Sequence, residues 1–346
     1  MTFGVLAALC ITLLTDSSCG MVYPNRSLFN YICMLSENSY SSTKKPVSIS
    51  ISSEYEVDVS MSTPFLSATP FEEFTLNAGQ GRKIAITPEI RMPVNSSVSE
   101  RSILIQATKS VSVILVNDME SNFDVVHLME LDALGTDYVV LSFVTTEPNA
   151  FIGIAVPFNE TTISIRLPAR VKPIDVFVNG RIFSTYPELT LTLQAYDALQ
   201  ILSGDDLTGT VISSDKKIAV FSGNTRTKVF GLCLDYMMEE MPRVSDLGNE
   251  YIVFSPYPGP DRDLLKLVAL ANNTAITVDG GTTLNIEREF NFKNRRFSRL
   301  SVHHIRATHP LLVGGITFSA GPLYFIIYSG IACVEVLAVV LSSSES

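Results

Sequence analysis

The sequence predicts an all-β protein of about three tandem sandwich-like repeats of roughly 100 residues each, and three observations predict it. Valine, isoleucine, threonine and serine fill the patterned stretches, where apolar and polar residues alternate as in half-buried strands. A second observation is internal recurrence. Leu104–Asn117, LIQATKSVSVILVN, lies over Val211–Asn224 without a gap, setting Ile105 on Ile212, Lys109 on Lys216, Val111 on Ile218 and Val113 on Val220. A weaker third copy runs from Ile305 through His309, Pro310 and Leu311 to Val313. The third observation is order. Leu134-Gly135-Thr136-Asp137-Tyr138 matches Leu247-Gly248-Asn249-Glu250-Tyr251, and Asn159-Glu160-Thr161 matches Asn272-Asn273-Thr274, in the same succession each time. Chance likeness between valine-rich strands does not preserve marker order. The alternative architecture is a β-propeller in which each repeat supplies two four-stranded blades.

Along the chain, residues 1–19 read as a signal peptide: Phe3–Leu14 is apolar, and polar Thr15–Ser18 lead to small Cys19 and Gly20. Residues 20–45 are poorly patterned and read as a linker or lead-in. The first repeat spans 46–133, with alternation at Ile49/Ile51 and Val57/Val59 and further strands at Phe74–Leu76 and Ile84–Ile86. The second spans 134–246. In it, Asn179-Gly180 sits between two apolar triplets and marks a two-residue hairpin. Leu207–Asn224 reads as two strands around a polar corner at Ser213–Lys217, and Ile218–Phe221 suits a strand buried on both sides. Tyr236–Met241 reads as a short turn of helix stopped by Pro242. The third repeat, 247–322, is incomplete, and 323–346 forms an apolar tail. Leu323–Leu341 is nearly long enough to span a bilayer, but Glu335 interrupts it and no basic flank follows.

Composition narrows the function. With 346 residues, 46% hydrophobic and 17% charged, the chain can build several cores and is not disordered. A formal net charge of −10 argues against nucleic acid as a partner. The cysteines expected in the mature chain, Cys33, Cys233 and Cys333, are disulfide candidates of unassigned pairing, with no metal-ligand spacing among them. His303 and His304 are neighbours on a strand and face opposite ways, with no carboxylate partner in the local pattern. Asp205-Asp206 and Asp261-Arg262-Asp263 read as solvated corners rather than calcium loops. They are also the carboxylates that a hydrolase would use. Lys293, Arg295, Arg296 and Arg299 form the densest basic patch and read as a solvated hairpin. No nucleophile elbow, phosphate loop, dinucleotide fingerprint or zinc-protease motif is present, so the sequence implies no cofactor, no metal and no enzyme. Four sequons, at Asn25, Asn95, Asn159 and Asn272, mark glycosylation candidates, and the last two hold equivalent places in the repeat.

The segments LTGTVISSDKKIAVFSGN, LDYMMEEMPRVSDLGNEYIV and LVALANNTAITV resemble the N-terminal domain of the IgG-Fc-binding protein family. That domain carries a G-T-x-I-x-S-x-x-P-V-A-V-F-S-G-N hairpin, a C-D-x-L-x-E-Q-x-P segment, an L-G-x-x-Y-V strand and a D-N-T-x-V strand. The resemblance covers 50–318. Here Lys217 replaces the motif's proline, and Thr225, Arg226 and Thr227 stand where the family has a cysteine. The resemblance implies a secreted, non-catalytic binding or adhesion module associated with mucus or host defence. Its implied partner is an extracellular protein or glycoprotein, an immunoglobulin Fc or a mucin-like chain. The alternatives are a membrane-tethered surface antigen, held only if the C-terminal run inserts, and a carboxylate-dependent hydrolase.

Overall fold

The computed structural model describes residues 28–36, 46–118, 123–144, 150–227, 235–254, 263–281, 283–297, 301–317 and 324–328. The first part of the chain forms β1 (Phe29–Cys33), β2 (Val47–Ser53), β3 (Val57–Ser62), β4 (Glu72–Leu76), β5 (Gln80–Ile86), β6 (Ser97–Ser99), β7 (Ile103–Ala107), β8 (Ser112–Asp118) and β9 (Phe123–His127). Eight of these make two antiparallel sheets, in orders β1-β7-β3-β4 and β5-β2-β8-β9. Their inward residues, among them Ile49, Ile51, Val59, Met61, Ile105 and Val113, share one core. The period-2 alternation that marks a half-buried strand therefore builds a two-layer sandwich.

The last part forms β19 (Glu250–Phe254), β20 (Asp263–Ala269), β21 (Thr274–Val278), β22 (Thr283–Ile286), β23 (Phe292–Phe297), β24 (Val302–Ala307), β25 (Leu311–Thr317) and β26 (Tyr324–Tyr328). Its sheets run β19-β24-β21-β22 and β23-β20-β25-β26, strand for strand the order of the first sandwich. Between them lie β10 (Gly135–Val139), β11 (Ala150–Ala155), β12 (Thr161–Arg166), β13 (Asp175–Val178), β14 (Arg181–Ser184), β15 (Leu189–Leu193), β16 (Ala198–Ser203), β17 (Val211–Thr227) and β18 (Asp235–Glu240). The order is again kept. The first half of β17 pairs with β10 and β12, and its second half pairs with β11 and β18. A propeller blade is built from consecutive strands; here β1 neighbours β7 and β2 neighbours β8, so the sheets are not blades.

Matching bonds recur in the three sandwiches. The hydroxyl of Tyr31 donates to the Val111 carbonyl at 2.8 Å and that of Tyr138 to Ile218 at 2.6 Å, while Tyr251 donates to the Leu311 carbonyl. Likewise the backbone N–H groups of Asp58, Thr162 and Ala275 donate to the side chains of Thr108, Asp215 and Thr308.

The middle sandwich is covered on both sides. Along β11 every residue is buried, and Ile218–Phe221 of β17 are fully so, the pattern expected of a two-faced strand. Phe151, Phe221, Tyr236 and Met238 turn into the first core; Ile152, Ile154, Val220 and Met237 turn into the second. Val268, Leu312 and Ile316 of the third sandwich also pack into the second core.

Four sequence expectations change. Ser213–Lys217 is no corner: β17 runs through it unbroken, because Ser213 and Ser214 stay paired with β12 while the strand crosses between sheets. Tyr236–Met241 is not helical. Asp235–Glu240 is β18, where burial on both faces outweighs the helix propensity of Met and Glu. The lead-in contains β1, whose Tyr31, Ile32 and Cys33 are buried by pairing with β7. The third set of strands is not short, since β26 supplies its eighth from within the apolar tail. Residues 1–27 and 329–346 lie outside the described residues, and with them Asn25, Cys333 and most of the tail.

Candidate interaction surface

The β13–β14 hairpin extends the ten-stranded middle sheet beyond β16, through the short strand β6. Its turn is Asn179-Gly180, at φ +48° and +77°, the left-handed pair that a two-residue hairpin requires. That turn sets the register: Val176 faces Phe183, and Phe177 faces Ile182. The first pair points inward, with Val176 in the second core and Phe183 packed on it. The second pair points out, and Phe177 is 45% exposed and Ile182 60%. Tyr186, just past β14, is 74% exposed, and Val94, before β6, is 67%. β14 is an edge strand. Two cross-strand apolar side chains and a free aromatic beside an open sheet edge form a surface that a protein partner can cover.

The histidines have the carboxylates that their local sequence lacks, supplied by β19 and by the turn after β21. His303 Nδ1 lies 2.6 Å from Asp279 Oδ2, and its Nε2 lies 2.7 Å from Ser301 Oγ. His304 Nε2 is 2.6 Å from Glu250 Oε1, which Arg306 also holds. The bonds from His303 and the His304 N–H keep the Asp279 carboxyl below its usual range. Aspartate, histidine and serine thus stand in line, the order used in acyl transfer. Acyl transfer also needs oxyanion donors and a substrate cleft. The adjoining cavity, lined by Phe254, Phe297, His303 and Tyr328, is about 10 Å³, room for one water. The His303 ring stacks on Phe297 with centroids 4.0 Å apart, so this chain closes the end of the third core.

Asp206 is not a solvated corner. Its Oδ2 lies 2.6 Å from Nζ of Lys266, which is 2% exposed and also donates to the Ser142 carbonyl at 2.6 Å and Thr208 Oγ1 at 3.0 Å. Phe143 and Phe292 flank the ammonium at 4.6 and 4.4 Å. Burial alone would raise the Asp206 pKa, but Lys266 and Thr208 outweigh it and hold the carboxyl below its usual range. Asp205 accepts the Lys172 N–H, and Asp263 lines the His303 cavity on the other face of β20. The hydrolase carboxylates are therefore not gathered, and Asp261 lies outside the described residues. Lys293, Arg295 and Arg296 lie on edge strand β23, where Lys293 and Arg296 are exposed and the strand pairs with β20 rather than closing a hairpin; Arg299 lies outside the described residues. Cys33 is a buried free thiol whose pKa burial pushes up, and Cys233 is outside the described residues. Among the described residues no group of three His, Cys, Asp or Glu is placed to hold a metal, and no helix is long and apolar enough to cross a membrane.

Residues 124–324, more than half of the chain, match the IgGFc binding protein family. The chain belongs to that family. A curated relative, "IgGFc-binding protein" from Homo sapiens, is 25% identical over 231 residues, covering 67% of this chain but only 4% of that protein's length. No solved structure matches. The IgGFc-binding match takes in β10 through β25, the whole middle sandwich and nearly all of the third.

The segments that carried the resemblance prove to be packing devices. In Ser222-Gly223-Asn224 the serine hydroxyl donates to the Phe151 carbonyl at 3.2 Å and the asparagine amide to the Phe143 carbonyl at 3.1 Å. A Cβ on Gly223 would lie 1.8 Å from the Met237 carbonyl, so β18 crosses too close for any side chain there. In Leu-Gly-x-x-Tyr, the glycine N–H meets the tyrosine hydroxyl, at 2.7 Å for Gly135–Tyr138 and 3.1 Å for Gly248–Tyr251. The exposed residues of the hairpin were not singled out in the sequence. Their signal was there: Asn179-Gly180 fixes Phe177 opposite Ile182, and a hairpin apolar on both faces has one face too many for one core.

Proposed function

We propose that this chain is a secreted, non-catalytic binding module of adhesion, mucus or host defence, built from three copies of one β-sandwich unit. Its partner is an extracellular protein, and the relative's name directs the choice to the Fc portion of immunoglobulin G. The β13–β14 hairpin carries the reading, with Phe177 and Ile182 exposed side by side beside β14, an edge of the sheet among the described residues. Aromatic side chains such as Phe177 and Tyr186 are enriched in protein interfaces, and an edge strand can add a partner's strand. The family match supports binding rather than catalysis.

The test is calorimetric titration of the purified chain with an Fc fragment. Saturable binding is expected, weakened about tenfold or more by the pair Phe177→Ser and Ile182→Ser, since a central apolar anchor contributes at least about 1.4 kcal/mol. Because both side chains project from the outer face of the sheet, the variant should lose only the cross-strand pair, about 1 kcal/mol or less, and stay folded. Absence of binding, or binding indifferent to the pair, contradicts the proposal.

A further inference from the structure

We infer that Asn159 and Asn272 carry N-linked oligosaccharides, displayed from the same corner of the middle and third sandwiches, with Asn95 as a further acceptor. The inference rests on the extracellular reading above and adds to it where the surface is covered by sugar.

The two corners match in detail. Asn159 and Asn272 are exposed, and each sequon's middle residue is left-handed, Glu160 at φ +53° and Asn273 at φ +56°. Each sequon threonine is fully buried, Thr161 donating to the Phe158 carbonyl and Thr274 to the Ala271 carbonyl, both at 2.7 Å. Each asparagine Oδ1 accepts a backbone N–H from a later turn, Asn159 from Ala195 at 3.1 Å and Asn272 from Glu289 at 3.0 Å. Holding the oxygen fixes the amide plane, so Nδ2 has a defined direction; among the described residues it donates to no protein group. At Asn95 the oxygen accepts from Ser97 Oγ at 2.8 Å, and that residue is exposed too.

The chemistry is compatible with this geometry. Transfer from a lipid-linked oligosaccharide pyrophosphate forms a bond between Nδ2 and the anomeric carbon. It breaks the bond from that carbon to the phosphate oxygen and releases one amide proton. The modified amide keeps its oxygen, so the bonds from Ala195 and Glu289 survive. The threonine is read in the extended nascent chain and buried afterwards.

The experiment is expression of the full chain in glycosylating cells, with intact mass and peptide mapping before and after peptide N-glycosidase. The expected result is a fall in mass on treatment, with aspartate found at positions 159 and 272. Asn159→Asp and Asn272→Asp each keep the accepting oxygen, so each should lose one glycan without loss of melting temperature. An exported chain bare at both positions, or one modified at Asn95 alone, overturns the inference and leaves the extracellular reading standing. An unmodified chain held in the cytosol overturns both.

Discussion

The hydroxyl of Tyr138 donates to the carbonyl of Ile218, 80 residues further along, at 2.6 Å. The same oxygen accepts the Gly135 N–H at 2.7 Å, so one side chain locks the start of β10 onto the middle of β17. Tyr251 does the same with Gly248 and Leu311, while Tyr31 donates to the Val111 carbonyl and accepts the Val111 N–H.

Tyr138→Phe removes both bonds and strands a donor and an acceptor in a buried place. The expected loss is about 1–3 kcal/mol. Tyr31→Phe acts at a separate clasp, so the two losses should add to within about 0.5 kcal/mol. Urea unfolding of the single and double variants checks both statements.

Lys266 joins the third sandwich to the second through Asp206. Lys266→Ala leaves Asp206 with only the Arg170 guanidinium nearby as counter-charge and should cost up to about 3–5 kcal/mol. Lys266→Met combined with Asp206→Asn fills the space between Phe143 and Phe292 without charge and should recover most of the loss. The depressed Asp206 pKa adds a sign in pH. Its stabilisation is fully present above the unfolded value, about 3.9, and fades as pH falls through the lower folded value. Acid titration of the unfolding midpoint should show this fade in the native chain and a smaller one in the double variant, where Asp279 and Glu250 still titrate low.

Glu240 titrates in the opposite sense. Burial pushes its pKa up to about 8, against the opposing bond from the Met129 N–H at 2.7 Å. Burial pushes neighbouring Glu239 up as well, helped by Asp124 and Glu240. Above the unfolded value, about 4.3, the folded chain still holds a proton that the unfolded chain has released. Stability from this group is therefore complete below that value and is lost as pH rises toward 8. Melting temperatures between these limits should fall with pH, and Glu240→Gln, which still accepts from Met129, should flatten the slope.

Much of the fold was legible because its signals are local. Alternation at Ile49/Ile51 gave β2, Asn179-Gly180 gave the β13–β14 turn, and the alignment of Val111 with Ile218 paired the acceptors of two tyrosine clasps. What stayed hidden depends on distant partners. Met237 and Met238 read as helix formers because nothing local says that two cores will compete for them. Asp279, in the turn after β21, and Glu250, on β19, reach His303 and His304 from distant parts of the sequence, and Asp206 reads as a loose corner until β20 brings Lys266 to it. The candidate surface lay between these cases. Its register was readable, but that Phe177 and Ile182 are left uncovered follows from β14 being an edge, which only the assembled sheet decides.

The most direct test of the whole account is amide hydrogen exchange on the chain with and without Fc. Slowed exchange is expected at Arg181–Tyr186, on β14 and its flank, with Ser301–Arg306 unchanged. Protection confined to Ser301–Arg306, or none anywhere at saturating Fc, would contradict it.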